Sequence, residues 1–188
     1  LSSAPDRPNS EPLLPALPAA SEPNLSPMFV GNDRLIVIDN HQAARCWNID
    51  AKDIVWEQKV KRVLSSAMSP DGHWIALGED LDVVLLDAAT GQPAEPRLKH
   101  PNLVNSVSFH PRRAWLLTGS GDHSARIFEV PSGTLVGPPI PHSDAVHRCV
   151  WSPDGATFAT VPWTGDLIRL WKPSDPRLEE FVAAPSAR

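Results

Sequence analysis

The chain has 188 residues, of which 41% are hydrophobic and 21% charged, and its formal net charge is −5. This composition is typical of a globular protein, and an acidic chain without a basic stripe argues against a nucleic-acid partner. No apolar run reaches the roughly 18 residues of a membrane-spanning helix, so we predict no membrane insertion and expect a cytoplasmic protein.

Residues 1–27 are rich in proline, which is spaced by Ser, Glu, Ala and Leu. Such a composition favours a semi-extended, disordered linker, with a ligand for a proline-recognising domain as the alternative. The segment begins with Leu1 and has no basic region followed by an apolar one, so we expect it to continue a longer chain. The prolines are Pro5, Pro8, Pro12, Pro15, Pro18, Pro23 and Pro27.

Residues 28–175 contain an internal repeat. The turns "SPDG", "HPRR" and "SPDG" carry Pro70, Pro111 and Pro153, which are 41 and 42 residues apart. Self-similarity at about 40–45 residues is the period of a four-stranded propeller blade. An earlier, degenerate copy contains "RCWNID". In this copy, Trp47 aligns with Phe128 of "RIFEV" and with Trp171 of "RLWKP". We place the copies at about residues 28–60, 61–100, 101–142 and 143–175.

The third copy shows the strands most clearly. "LVNSVSF" alternates with a period of two and predicts an inner strand, followed by the turn "HPRR" and the strands "AWLLTGS", "ARIFEV" and "LVGPPI". Pro138 and Pro139 would interrupt a central strand, whereas an outermost strand tolerates them. The prolines therefore predict that each blade runs from inside to outside along the chain. Cys46 and Cys149 lack CxxC spacing, so we interpret both as buried strand residues without a redox role.

These copies resemble the WD-repeat family of β-propellers. The marks are "SPDG" after the first strand, "TGSGD" between the second and third, "RIFE" or "RLWK" in place of the final Trp-Asp, and His100 and His142 before the first strand. The resemblance implies an all-β fold with four blades of four antiparallel strands. The phrasing is also similar to WD repeats in large bacterial proteins, where a propeller often follows a protein-kinase or other signalling domain.

In the family, a His, a Ser or Thr, an Asp and a Trp hydrogen-bond across each blade as a structural network. The resemblance assigns Asp80 and Trp47 to the incomplete networks of the second and first copies, so we expect those two blades to be less well fastened. The third copy offers His100, Thr118, Asp122 and, in place of the Trp, Phe128. The fourth copy offers His142, Thr160, Asp166 and Trp171.

Four blades are fewer than the roughly seven with which WD propellers usually close, and closure removes exposed strand edges. We therefore expect a portion of a larger propeller, whose remaining blades come from the same or a second chain. Closure as a rare four-bladed ring is the alternative. The tail, residues 176–188, shows no clear fourth strand for the last blade.

No motif predicts catalysis, a cofactor or a metal. "GSGDHS" precedes a strand rather than the helix that a phosphate loop requires. His142, Asp144 and His147 have no dependable ligand geometry on a loop that enters a strand. No GxSxG elbow is present, so we expect a protein that is not an enzyme, and an enzymatic propeller of quinoprotein or lactonase type stays an alternative.

Trp163 is the residue that most suggests a partner site. It replaces the small polar residue expected in the turn before the third strand, and an exposed indole is a good anchor for a partner. Asn102, Asp144 and His147 border the same predicted rim. Packing of Trp163 against Pro162 and the neighbouring blade is the alternative. We predict a non-catalytic scaffold for proteins or peptides, and the alternative is a rigid spacer or regulatory cap of an upstream kinase-like domain.

Overall fold

The computed structural model describes residues 27–39, 43–164, 167–173 and 180–182. In this part of the chain, seventeen strands form four antiparallel sheets, numbered blades 1 to 4 in chain order. Blade 1 contains β1 (Met28–Val30), β2 (Arg34–Asp39), β3 (Ala43–Asn48) and β4 (Asp53–Lys59). Blade 2 contains β5 (Val63–Met68), β6 (Trp74–Glu79), β7 (Asp82–Asp87) and β8 (Pro93–Lys99). Blade 3 contains β9 (Val104–Phe109), β10 (Trp115–Ser120), β11 (Ser124–Glu129), β12 (Thr134–Leu135) and β13 (Ile140–Pro141). Blade 4 contains β14 (Val146–Trp151), β15 (Phe158–Pro162), β16 (Arg169–Trp171) and β17 (Glu180–Val182).

The four predicted sheets are confirmed, and strands that follow one another in the chain are neighbours in each of them, except β12 and β13, which both pair with β11. The inner strand β9 contacts β5 of the preceding blade and β14 of the following blade. No helix among the described residues is long and apolar enough to cross a membrane. The linker at residues 1–27 lies outside the described residues except for its last residue, and so does His41 in blade 1.

The blades are held together by three apolar clusters, one at each junction. Each blade has a forward face, which points to the next blade in the chain, and a backward face, which points to the preceding one. In each cluster, the forward face of one blade packs on the backward face of the next. Burial of such alternating side chains is the main stabilising contribution in a stack of sheets. The first cluster includes Ile36, Cys46, Ile75 and Leu86, the second Ala76, Leu85, Leu116 and Phe128, and the third Leu117, Ile127, Phe158 and Trp171.

Two faces at the ends of the stack are exposed. On the backward face of blade 1, Phe29 is 65% exposed and lies in one cross-strand row with Leu35, Trp47 and Ile54. On the forward face of blade 4, Val150 is 56% exposed and pairs across the sheet with Ala159, which pairs with Leu170. Both rows have the apolar character of the faces that are buried at the three junctions.

The "SPDG" turns form as their residues predict. The Ser69 hydroxyl accepts a hydrogen bond from Trp74 N at 2.8 Å and donates one to Asp71, and Gly72 supplies the positive φ of 72°. In the "HPRR" turn of blade 3, His110 Nδ1 instead accepts hydrogen bonds from the amides of the two arginines. An imidazole acceptor therefore replaces the Ser and Asp side chains at this turn.

The outer strands differ from the sequence prediction in two places. The expected single strand "LVGPPI" is split into β12 and β13, which both pair with β11. The two prolines between them cannot donate to the ladder, and Gly137 turns the chain with a φ of 83°. The prediction that the C-terminal tail lacks a fourth strand was wrong, because β17 pairs with β16 and completes blade 4.

Candidate functional site

Blade 4 contains a continuous chain of hydrogen bonds from its third strand to the loop before its first. The indole of Trp171 donates to Thr160 Oγ1 at 2.9 Å, and Thr160 Oγ1 lies 2.7 Å from His142 Nε2. The other imidazole nitrogen, Nδ1, lies 3.0 Å from the carbonyl of Ile140. Since a carbonyl can only accept, Nδ1 carries the proton and Nε2 accepts from the threonine hydroxyl. The three side chains therefore form one polarised network within a buried sheet.

Blade 3 has the same arrangement without the indole. His100 Nε2 lies 2.9 Å from Thr118 Oγ1, and His100 Nδ1 lies 3.1 Å from the carbonyl of Leu98. Phe128 takes the place of the tryptophan and packs edge-on against the imidazole, with 5.5 Å between ring centroids. Burial, followed by the charge of Arg126, lowers the pKa of His100 to about 4. His100 is therefore neutral at pH 7, as its acceptor role requires.

Asp122 serves the turn between the second and third strands of blade 3 rather than the histidine directly. Its Oδ1 accepts hydrogen bonds from the amide and hydroxyl of Ser124, and its Oδ2 lies 2.7 Å from Arg126 Nη1. Burial acts to raise the pKa of Asp122, but the contacts with Ser124 and Arg126 outweigh it and hold the pKa below its usual value. Asp122 is thus an ionised anchor of this turn. Asp166, its predicted counterpart in blade 4, lies outside the described residues.

Blades 1 and 2 have apolar side chains at the position of the network threonine. Strand register places Val37 and Leu77 where the later blades have threonine. Leu77 is fully buried, and replacing all polar partners by apolar ones can leave stability nearly unchanged. Leu77 therefore contributes apolar packing to the junction of blades 1 and 2, which the Trp56 indole also crosses with a 3.0 Å hydrogen bond to the carbonyl of Ala88. Asp80 contributes through its backbone, since its amide donates to Arg62 O and its carbonyl accepts from Val104 N.

Trp47 of blade 1 has an indole nitrogen that is buried and has no hydrogen-bond partner among the described residues. The position that supplies the acceptor hydroxyl in blade 4 is Val37 in blade 1, and a valine cannot accept. Strand register therefore places Trp47 in the position of Trp171, but its indole lacks the corresponding hydrogen bond.

The inner strands are connected by serine hydroxyls, which the sequence reading did not single out. The amide of Val107 donates to Ser65 Oγ at 3.1 Å, and the amide of Cys149 donates to Ser106 Oγ at 3.1 Å. The repeat spacing contained this signal, because Ser65, Ser106 and Arg148 follow one another at 41 and 42 residues. In blade 4 the serine is thus replaced by an exposed arginine on the forward side.

Asp144, His147, Trp163 and Thr164 come together at one end of blade 4, and we call them the rim cluster. Trp163 is 63% exposed, and its ring meets that of His147 edge-on with 4.4 Å between centroids. The Asp144 carboxylate accepts hydrogen bonds from the hydroxyl and amide of Thr164, and the Trp163 amide donates to the carbonyl of Ala145 at 2.8 Å. These contacts hold the turn that carries the indole.

Charged and polar groups of the rim cluster form a rigid support around the indole of Trp163. Hydrogen bonds from the Thr164 hydroxyl and then from the Ala145 amide hold the pKa of Asp144 below its usual value, so this residue stays ionised. His147 Nδ1 is buried and has no hydrogen-bond partner in the described part of the chain. It is therefore an unsatisfied polar atom inside this support.

Asn102 occupies the corresponding position in blade 3. Its Oδ1 accepts from Leu103 N at 2.8 Å and its Nδ2 donates to Gly121 O at 3.2 Å, so it ties the loop before β9 to the turn after β10. The structure thus gathers three of the four predicted rim residues into one cluster and leaves Asn102 in the neighbouring blade.

A cavity of about 230 Å³ lies beside the rim cluster, between the inner strands of blades 2, 3 and 4. Arg148 contributes the cationic group of its wall, and the His147 ring and serine and asparagine side chains contribute further polar groups. Its lining residues are Leu64, Ser65, Ser66, Asn105, Ser106, His147 and Arg148.

Neither cysteine is suited to thiolate chemistry. Burial raises the pKa of Cys149 to about 12, and burial also raises the pKa of Cys46. Within the described residues, no group of three or more His, Cys, Asp or Glu side chains could hold a metal ion. The arrangement at the rim is one of contact and hydrogen bonding.

Comparison with known proteins agrees with this architecture. The family described as "WD domain, G-beta repeat" matches residues 96–129, which include the network of blade 3. Residues 96–129 thus form a WD repeat. The chain is 30% identical over 112 residues to an uncharacterized WD repeat-containing protein of Synechocystis, covering 58% of this chain and 32% of that protein. It is 27% identical over 128 residues to a serine-threonine kinase receptor-associated protein of Dictyostelium discoideum, covering 68% of this chain and 43% of that protein.

The fold of the chain is similar to that of a solved structure of U3-55K. The TM-score is 0.68 with 19% sequence identity, and the match covers 80% of this chain and 48% of the other. The chain thus spans less than half the length of each of these proteins. At this identity, the structural likeness establishes the propeller fold alone.

Proposed function

We propose that the chain is a non-catalytic scaffold that binds a protein or peptide segment at the rim cluster. Proteins built of WD repeats are generally interaction scaffolds. The observation that supports this site is the exposed indole of Trp163, which is held by the edge contact with His147 and by a turn fastened to Asp144. A rigid aromatic side chain beside polar groups is the usual composition of a binding hot spot.

The partner would bury the indole and reach into the neighbouring cavity. The serine and asparagine side chains of the cavity wall offer hydrogen bonds there, and Arg148 offers a positive charge. A peptide with an apolar residue next to a hydrogen-bonding or acidic one would satisfy these groups together. Docking would fix the register through the polar groups and supply affinity through the indole.

The test is selection of peptides from a random display library against the purified chain, followed by fluorescence anisotropy of the selected peptides. Trp163→Ala should weaken their binding about 30-fold, the loss expected for a central aromatic anchor. Leu81→Ala is the matched control, because Leu81 is a 46% exposed apolar residue in the corresponding turn of blade 2. Unchanged affinity of the Trp163→Ala variant would reject the rim cluster as the site.

We also propose that the two exposed end faces pack on further blades of the same kind, in the same or a second chain. The three junctions within the chain show what covers such a face, namely the opposite face of a neighbouring four-stranded blade. A role as spacer or regulatory cap of an upstream signalling domain is the competing proposal. It needs no rim contact, so the response to Trp163→Ala separates the two.

A further inference from the structure

The opposite end of the molecule holds a second cavity, of about 210 Å³, between the turns of blades 2 and 3. It lies where β5 ends and β6 begins, and where β9 ends and β10 begins. The rim cluster lies at the other ends of the corresponding strands, so this second cavity and the rim cluster are separate sites. Apolar walls come from Trp74, Phe109 and Val130.

The cavity exists because a small residue stands at one repeat position. Ser69, His110 and Ser152 are equivalent, as the first residues of the "SPDG", "HPRR" and "SPDG" turns. At the junction of blades 3 and 4, the imidazole of His110 crosses to the next blade and lies 3.2 Å from the carbonyl of Gly155. At the junction of blades 2 and 3, Ser69 leaves the corresponding space without a ring.

The junction of blades 3 and 4 therefore shows what fits such a space. The His110 ring lies edge-on to Trp151 and Trp115, with centroid distances of 4.6 and 5.6 Å. It is so close to Gly155 that a Cβ there would collide with it. A flat ring between aromatic walls, with one edge near a backbone polar group, is the occupant that this fold accommodates at a junction.

The mouth of the cavity adds a charge requirement. Arg112 and Arg113 are both exposed and line it, together with Asp71. The hydroxyl of Ser69 is the first of the hydrogen bonds that lower the pKa of Asp71, and His73 Nδ1 lies 3.4 Å from the same carboxylate. Asp71 is thus already engaged, and the two guanidinium groups outnumber its single negative charge among the lining residues. The Arg113 guanidinium lies over the Trp115 ring at 4.4 Å, and Arg112 also interacts with the charge of Asp154 in the next blade.

We propose that this junction cavity binds the C-terminal aromatic residue of a partner peptide. The aromatic side chain would fill the space beside Trp74 and Phe109, and the terminal carboxylate would pair with Arg112. Guanidinium groups suit carboxylates because they present two parallel donors. This site is independent of the rim cluster and serves a second contact of the same scaffold.

The probe for this proposal is N-acetyl-phenylalanine, which carries a benzene ring and a carboxylate as a C-terminal phenylalanine does. Titration into the ¹⁵N-labelled chain should shift the Trp74 indole N–H resonance and leave the Trp163 resonance in place. N-acetyl-alanine lacks the ring and N-acetyl-phenylalanine amide lacks the charge, so each should bind at least about fivefold more weakly. Equal shifts with all three compounds, or none at Trp74, would overturn the proposal.

Two variants test the geometry. Arg112→Glu reverses an exposed charge and should reduce probe affinity about tenfold or more, while Arg62→Glu reverses an exposed charge at the other end, before β5, and should not. Ser69→His places in blade 2 the ring that blade 3 uses, and should abolish probe binding by filling the cavity. Binding that survives either Arg112→Glu or a folded Ser69→His variant would show that the cavity is not the site.

Discussion

The indole of Trp171 donates a 2.9 Å hydrogen bond to Thr160. Because that hydroxyl in turn donates to an imidazole, the threonine is both acceptor and donor in a buried network. Removal of such a central hydroxyl leaves polar groups on both sides without partners, and each unsatisfied group costs about 1–3 kcal/mol.

The first prediction concerns this threonine. Thr160→Val should lower the free energy of unfolding by about 2–4 kcal/mol, because it strands both the Trp171 indole and His142 Nε2. Thr157→Val, in the turn of the same blade, is the matched control and should change it by less than about 0.5 kcal/mol. Urea denaturation of the three proteins measures both effects, and equal effects of the two substitutions would argue against a stabilising network.

The second prediction uses the difference between Trp47 and Trp171. Val37→Thr is nearly isosteric and would place a hydroxyl where the buried Trp47 indole has no partner. We expect the free energy of unfolding to rise by about 1 kcal/mol, the net value of an ordinary hydrogen bond. The gain should disappear in the Trp47→Phe background, and a gain of equal size there would mean that the hydroxyl acts without the indole.

The repeat and its turns could be predicted because they depend on local residues. Pro70 and Gly72 determine their turn through backbone preferences, and the His100 and Thr118 pairing follows from the family pattern. The junction cavity could not be predicted, because it depends on the volume of Ser69 relative to a ring at the next junction. The pairing of β17 was missed for a similar reason, since its partner strand rather than its own composition stabilises it.

A third prediction follows from the low pKa of His100. The pKa of His100 is about 4 in the folded chain and about 6.5 in the unfolded chain. Between these two pH values, the imidazole is mostly neutral when the chain is folded and mostly protonated when it is unfolded. The unfolded state therefore binds more protons, and stability falls as the pH is lowered from about 6.5 toward 4. Between pH 7 and pH 5 the loss attributable to His100 is about 2 kcal/mol.

Urea denaturation at pH 7, 6 and 5 measures this loss. The His100→Phe/Thr118→Val variant removes the titrating group together with its partner and should show a loss smaller by about 2 kcal/mol over the same range. A remaining slope is expected from His110, whose pKa is lowered by burial and then by Arg113. An unchanged pH dependence in the double variant would contradict the assignment to His100.

A fourth prediction concerns the link between inner strands. Ser106→Ala removes the acceptor for the Cys149 amide and should lower the free energy of unfolding by about 1 kcal/mol. Hydrogen exchange of that amide should accelerate more than exchange of the amides within β10. Ser143→Ala, at an exposed loop position, is the control, and an equal response in both variants would exclude the inter-blade bond as the cause.

The last prediction tests the exposed face of blade 4. Val150 is 56% exposed on an apolar sheet face whose counterparts at the other junctions are buried. If further blades normally cover this face, the chain by itself should associate through it at micromolar concentration, because exposed flat sheet faces and edges pair readily. Light scattering after size-exclusion chromatography should then give a mass above 20.5 kDa.

Val150→Glu should shift the mass toward the monomer, whereas Leu135→Glu, on the outer strand of blade 3, should not. A wild-type chain that is monomeric at every concentration would show that the face needs no cover.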